Sequence, residues 1–210
     1  MISRKVVVAN KPGLCVELWA EIVRCAKEFE SYVSIEIDRK RVSAKKILEL
    51  LQNKELEGYQ FEAADASFEI LVKRELKQYK PFFGLESFKV TTEKRNDGKT
   101  FAEASIRLTI NGKQEFSASD GDGPVDALDR ALRKVLTKFY PNLNQMHLTD
   151  YKVRVINSKA ATAAKVRVLI ESQDETDSWT TVGVHENVIE ASWEALIDSI
   201  EYKLLKDLKK

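Results

Sequence analysis

The chain has 210 residues, 43% hydrophobic and 32% charged, enough to bury a core in one or two domains. Its 34 basic and 33 acidic residues leave a net charge of +1, so neither sign is in surplus for nucleic acid or an anionic membrane surface. Apolar runs are a few residues long, as in Val6-Val7-Val8, far from the ~20 needed to span a bilayer. The start "MISRKVVVANKPG" has a basic front and no apolar stretch behind it, so no secretory signal is read there. Cys15 and Cys25, on one expected helix, stand about 15 Å apart. A disulfide needs Cα atoms within about 7 Å. Two reduced thiols and a cytoplasmic location are expected. No carboxylate pair, Cys/His cluster or Ser/His/Asp set stands out, so no metal and no cofactor is expected.

In chain order, "KVVVAN" reads as a strand and "KPG" ends it. Leu18, Ile22, Cys25 and Phe29 recur at helical spacing. "YVSIEI" alternates as a strand, "RVSA" reads as a short return strand and "KKILELLQ" as a short helix. "GYQFEAA" reads as a further strand. "DASFEILVKREL" then opens on Asp65 as a helix cap, with Phe68, Leu71 and Val72 as its apolar face. "YKPFFG" breaks the pattern at Pro81 and Gly84, and a domain boundary is placed there. The first part is thus β-α-β-β-α-β-α.

The second part is more regular. "LESFKVTTEK", "TFAEASIRLTI" and "QEFSAS" read as three strands joined by turns at Asp97-Gly98 and Asn111-Gly112. A helix follows with Val125, Leu128, Leu132, Val135 and Phe139 on one face, stopped by Pro141. The pattern then recurs as "DYKVRVIN", "AKVRVLIES" and "WTTVGV", with "QDETDS" as a turn. The closing helix carries Ile189, Trp193, Leu196, Ile200 and Leu204. "GPVDALDRAL" and "NVIEASWEAL" align 64 positions apart, Val125 meeting Ile189 and Ala127 meeting Ala191. Recurrence of this kind predicts two βββα units that close one core, with a ligand cleft between them and a tendency to dimerise. The last stretch, "EYKLLKDLKK", reads as a basic, frayed helix end whose cations suit the helix dipole.

The stretch "SASDGDGPVDALDRAL" at 117–132 carries the chemistry. Gly121 and Gly123 permit positive φ or close approach of backbone to a ligand. Pro124 suits the first helical turn. A phosphate loop would need "GK[ST]", which is absent, and Asp120 and Asp122 repel phosphate. A tight turn that starts a helix accounts for the residues as they stand. The other reading is a small amphoteric ligand, an amino acid, whose carboxylate takes the unpaired amides of the first turn and whose ammonium takes an aspartate. His185, near the matching loop of the second unit, reads as a surface turn residue.

"GDGPVDALDRAL", "DYKVRV", "TAAKVRVLIES" and "ENVIEASWEALIDSIEYKL" resemble the C-terminal regulatory, or allosteric and dimerisation, domain of the (R)-citramalate synthase and 2-isopropylmalate synthase family, over about residues 84–206. That resemblance implies two βββα units, a homodimer, and feedback by isoleucine or leucine on a catalytic TIM barrel. It implies a site from Gly121, Asp122, Gly123, Pro124 and Ala127 in the first unit and Ala163, Ala164, Val184, Asn187 and Ile189 in the second. "ELEGYQFEAADASFEILVKREL" and "YKPFF" (residues 55–83) resemble the linker that joins barrel to regulatory domain in citramalate synthases. A (β/α)₈ barrel takes roughly 250 residues. The family's barrel also carries an HxH metal motif, and the two histidines here, His147 and His185, do not form one. No synthase activity, and no catalytic residue, is expected of this chain.

"VVVANKPGLCVELWAEIVRCAKEFESYVSIEIDRKRVSAKKILELL" resembles HPr, the phosphocarrier of the sugar phosphotransferase system. There the phosphorylated His is replaced by Cys15, the phosphate-steadying Arg by Glu17 and the regulatory Ser by Lys46. An anion beside the phosphorylation position disfavours phosphotransfer. Cys15 at a helix start has the setting for a lowered thiol pKa, and it also reads simply as a small, half-buried residue.

The expected architecture is α+β: an HPr-like open-faced β-sandwich over 1–80, then a duplicated βββα regulatory domain over 84–210. The expected function is that of a homodimeric sensor for a branched-chain amino acid, without nucleic-acid or membrane partners. Alternatives are the regulatory subunit of a split citramalate synthase whose barrel is a separate chain, and a phosphotransfer-linked protein acting through the HPr-like half.

Overall fold

The structure is a computed structural model that describes residues 34–37, 40–156 and 164–208. Readings that fall on the rest, including Cys15, Cys25 and Ala163, lie outside the described residues. The first described elements are an antiparallel hairpin of β1 (Ser34–Ile37) and β2 (Lys40–Ser43). Helix α1 (Ala44–Glu57) follows directly and is longer than the "KKILELLQ" core of its pattern. It ends at Gly58, whose φ of 111° is left-handed. Gly58 N–H bonds the Glu55 carbonyl at 2.9 Å and Tyr59 N–H bonds the Lys54 carbonyl at 3.0 Å, a paired closure that requires such a residue. This explains why "GYQFEAA" is a turn and not the expected strand. Helix α2 (Asp65–Glu75) is capped at Ala64, so Asp65 is its first residue rather than its cap. Its carboxylate still stands at the positive end of the helix dipole.

The rest is a duplication. Strands β3 (Gly84–Lys94), β4 (Thr100–Ile110) and β5 (Lys113–Gly121) form one antiparallel sheet in sequence order, and helix α3 (Pro124–Leu136) lies against it. A 3₁₀ turn at Pro141–Gln145 leads to β6 (His147–Val155), β7 (Val166–Gln173), β8 (Ser178–His185) and helix α4 (Val188–Asp207), with the same order and pairing. Both first strands slip register at the same place, between Leu85 and Ser87 and between Leu148 and Asp150. The Asn111-Gly112 hairpin has φ of 51° and 77°, as the primed turn demands.

Strand β4 alternates: Ala102, Ala104, Ile106, Leu108 and Ile110 are buried while Glu103 and Arg107 are exposed. One face is therefore core and one is wet. Strand β8 differs, because it is covered twice. Trp179, Thr181 and Gly183 face α4, while Val182 and Val184 join Ile47, Phe61, Phe68 and Val72 of the α1–α2 segment. The apolar residues of α3 and α4 meet in one core shared by both units. Of the five α4 positions expected to be apolar and inward, Trp193, Leu196, Ile200 and Leu204 are in it and Ile189 packs against it.

Up to Leu208, the C-terminal stretch is ordered helix and not a frayed end. Helix α4 continues to Asp207, and Lys203 is 1% exposed with its ammonium on Asp174 at 2.9 Å and Asp207 at 3.0 Å. Among the described residues, no helix is long and apolar enough to cross a membrane.

Candidate functional site

The two helix starts expected to receive a ligand occupy equivalent corners of the two units. In the first, β5 ends at Gly121 and α3 begins at Pro124. Gly121 and Gly123 do not take positive φ. Gly121 is needed for another reason: a Cβ there would lie 2.4 Å from the Ala127 nitrogen, so the strand can enter the helix this closely only without a side chain. Gly123 is extended, with φ of −160°, and nothing lies within 4 Å of where a Cβ would project. Its carbonyl accepts the Ala127 N–H at 2.9 Å, and Ala127 is fully buried.

The loop already has an internal acid. The Asp126 carboxylate accepts the Asp122 N–H at 2.9 Å and is held by Arg130 at 3.0 Å. Asp122 itself extends into solvent, with Arg130 3.6 Å away. The amides of Val125 and Asp126 have no carbonyl within the helix to bond, as at any helix start. The loop is open, with first-turn amides and a solvent-facing aspartate at its mouth.

In the second unit, Val184 is buried and its N–H bonds the Glu194 carboxylate at 3.0 Å. Asn187 caps α4, its side-chain oxygen accepting the Ile189 N–H at 2.8 Å, and Ile189 packs on the core. His185 Nδ1 accepts the Asn187 N–H at 2.9 Å, so this histidine shapes the turn as expected. Ala164 is nearly buried just before β7. Asn187 and Ile189 are joined at the start of α4, whereas Val184 packs under the α1–α2 segment on the other face of β8. Among the described residues no hydrogen bond or ion pair joins the two corners.

The feature that sequence reading missed is an acidic face on α4. Glu194, Asp198 and Glu201 recur at helical spacing beside the apolar stripe and receive the segment before β3. Tyr59 O–H donates to Glu194 at 2.8 Å. Ser67 O–H and Arg74 both donate to Asp198, at 2.8 and 2.9 Å. Phe82 N–H donates to Glu201 at 3.2 Å. Ser67 also accepts the Val182 N–H at 3.0 Å, closing the open edge of β8. The signal was present as three acids at i, i+4 and i+7 in a helix otherwise read only for its apolar side.

Burial pushes the Asp198 carboxyl up against the pull of Arg74. Burial also lifts Glu201 from near 4.5 to about 7, and the Phe82 N–H offsets this only in part. Glu201 is 1% exposed, and the Tyr79 hydroxyl beside it also favours the charged form without overcoming the burial. The folded chain therefore holds a proton there that the unfolded chain has released, so stability falls as pH rises from about 4.5 to about 7. Glu201→Gln is expected to flatten that slope by an amount on the order of 3 kcal/mol. Urea unfolding of both proteins at pH 5 and pH 7.5 measures it, and parallel slopes would contradict the assignment.

Two βββα units of one topology, sharing a core and each starting its helix from an open loop, define a duplicated α+β domain. The profile of the LeuA allosteric (dimerisation) domain matches residues 62–204. The chain belongs to that family. A second profile, for the phosphorylation site of the PTS HPr component, matches residues 2–62. Among curated relatives, the (R)-citramalate synthase of Aquifex aeolicus is 50% identical over 206 residues, covering 98% of this chain and 37% of that protein. The Geobacter sulfurreducens (R)-citramalate synthase is 49% identical, covering 89% of this chain and 35% of its own length. A 2-isopropylmalate synthase of Clostridium kluyveri is 31% identical, covering 79% and 30%. The chain thus spans about a third of the length of these relatives. The Aquifex alignment, at 98% coverage, also runs through the stretch that the HPr profile matches.

Proposed function

We propose that this chain is a homodimeric sensor of a branched-chain amino acid, isoleucine or leucine, and that it has no synthase activity of its own. Membership of an allosteric and dimerisation domain family is the observation that carries the reading. The edge strand β6 supports the dimer: Tyr151, Val153 and Val155 alternate along it and stay 38%, 43% and 59% exposed. The proposed organisation is an HPr-like part over 1–80 and the regulatory domain over 84–210, in the cytoplasm.

The proposed ligand site comprises Gly121, Asp122, Gly123, Pro124 and Ala127 with Ala163, Ala164, Val184, Asn187 and Ile189. The first-turn amides beyond Gly123 take the ligand carboxylate, Asp122 meets the ammonium, and the small and aliphatic residues border the side chain. Gly123→Asp tests this. The added carboxylate projects into open space, so α3 stays folded while the site becomes repulsive to an anion. Calorimetry is expected to show at least a tenfold loss of affinity. Unchanged binding would mean the site is misplaced.

A second reading is favoured by the relatives' names and by the 37% coverage of the Aquifex protein. In it the chain serves as the regulatory subunit of a split citramalate synthase. A barrel protein copurifying with the chain in fixed proportion would support it. The HPr profile match supports a third, phosphotransfer through the N-terminal part, which phosphate incorporation by the general phosphotransferase enzyme tests. Glu17 beside Cys15 disfavours it.

A further inference from the structure

Residues 76–83 connect α2 to β3 and are pinned at both ends. Leu76 is buried in the core beneath the α1–α2 segment, and Phe83 in the core shared by the two units. Between them Lys80 and Pro81 are exposed. The polar holds on this middle stretch converge on one carboxyl. Phe82 N–H donates to Glu201 at 3.2 Å, and the Tyr79 hydroxyl is hydrogen-bonded to the same group. Tyr140 secures the far side. Its hydroxyl donates to the Phe82 carbonyl at 2.8 Å, and its ring meets the Phe82 ring edge-on at 5.8 Å. Lys77, at the start, has a φ of 53°, a left-handed conformation that costs free energy in a residue with a side chain and is given up when the stretch opens.

Glu201 is poorly provided for as an anion. Arg74 from α2 bears on it, but that guanidinium is bonded to Asp198 at 2.9 Å and lies over the Tyr79 ring. Asp198, one turn earlier on α4, opposes a second negative charge, and Tyr140 from beyond α3 is neutral. What remains is the Phe82 N–H and the Tyr79 hydroxyl, both uncharged donors carried by the connector itself. Water reaches the carboxylate most readily when the connector lifts, because α4 is packed into the shared core through Ile200 and Leu204. We propose that residues 79–82 and Glu201 form a proton-linked latch, in which opening of the connector releases the Glu201 proton to water and loosens the joint between the α1–α2 segment and the duplicated domain. Closed, the carboxyl keeps its proton up to about pH 7; opened, it returns toward the ordinary value near 4.5. The opening equilibrium therefore rises about tenfold per pH unit between these values and levels off above them. No ligand enters the latch, so it stands or falls apart from the sensor reading.

Hydrogen–deuterium exchange of the full chain at pH 5, 6, 7 and 8, corrected for the chemical exchange rate at each pH, tests this. Protection of the Phe82 amide is expected to fall at least tenfold from pH 5 to pH 7 and to level off by pH 8. It is also expected to lie below that of the β4 amides throughout. Glu201→Gln is expected to remove the fall. Tyr140→Phe, which takes one bond from the connector and leaves the carboxyl in place, is expected to lower protection at every pH with the same slope. Protection that matches β4 at each pH would mean that only global unfolding frees the connector, and overturns the latch. So does protection that is flat with pH, or a fall that persists in Glu201→Gln.

Discussion

Gly183→Ala is expected to destabilise the protein by about 3 kcal/mol or more, and to abolish cooperative unfolding if β8 and α4 are forced apart. A Cβ at this position would lie 2.0 Å from the Ala191 carbonyl oxygen and 2.9 Å from the Glu194 Cβ. The obstacle is helix backbone, which cannot step aside as a side chain does. Nor can the strand retreat, because Thr181 O–H donates to the Ala195 carbonyl at 2.8 Å and Val184 N–H to Glu194 at 3.0 Å. Gly121 plays the same part in the first unit, against Ala127. Gly84→Ala is the control: nothing lies within 4 Å of its Cβ position, and a change within about 0.5 kcal/mol is expected. Denaturant midpoints for the two variants decide the matter. A Gly183→Ala protein as stable as the control would contradict the close strand–helix contact.

Asp174→Ala is expected to cost about 3–5 kcal/mol, through the charge it strands rather than the bonds it removes. Asp174 is 4% exposed, at the turn between β7 and β8. Its carboxylate takes Lys203 and Lys206 at 2.9 and 3.0 Å and the N–H groups of Thr176 and Asp177 at 2.9 and 3.0 Å. Burial alone would raise its pKa, yet these donors hold it well below the usual carboxylate range. Its contribution is therefore full above the ordinary carboxylate pKa and is lost only as pH falls through the depressed value, in strong acid. Without Asp174, the Lys203 ammonium stays buried with Asp207 as its remaining ion-pair partner among the described residues. Lys203→Met removes the charge with its desolvation cost and is expected to be milder. Thermal unfolding at pH 7 ranks the pair, and equal losses would show that the stranded ammonium is not the cause.

What could be read from the residues follows from periodicity. Ala102 to Ile110 alternate strictly because β4 has one wet face, and the 64-residue echo between 123 and 187 marks the duplication in the sequence itself. Asn111-Gly112 marked its hairpin because few other pairs take two positive φ values. What could not be read depends on contacts between segments far apart in the chain. "GYQFEAA" has strand-like composition, yet Gly58 closes a helix and docks beside β7, where Arg167 donates to the Gly58 carbonyl at 2.7 Å. "EYKLLKDLKK" reads as a solvated tail until Asp174, 29 residues earlier, arrives to neutralise Lys203. For the candidate site, the helix starts were legible as glycine, proline and cap residues. The acidic face of α4 was not, because its partners Tyr59, Ser67 and Arg74 are more than a hundred residues away.

The proposed sensor role requires one event, the capture of an amino acid by a dimer. Isothermal titration of the purified chain with isoleucine, leucine and valine, alongside light scattering, measures it directly. The account predicts saturable binding of one of the three to a particle of twice the chain mass. A monomer that takes up none of them at millimolar concentration would contradict it.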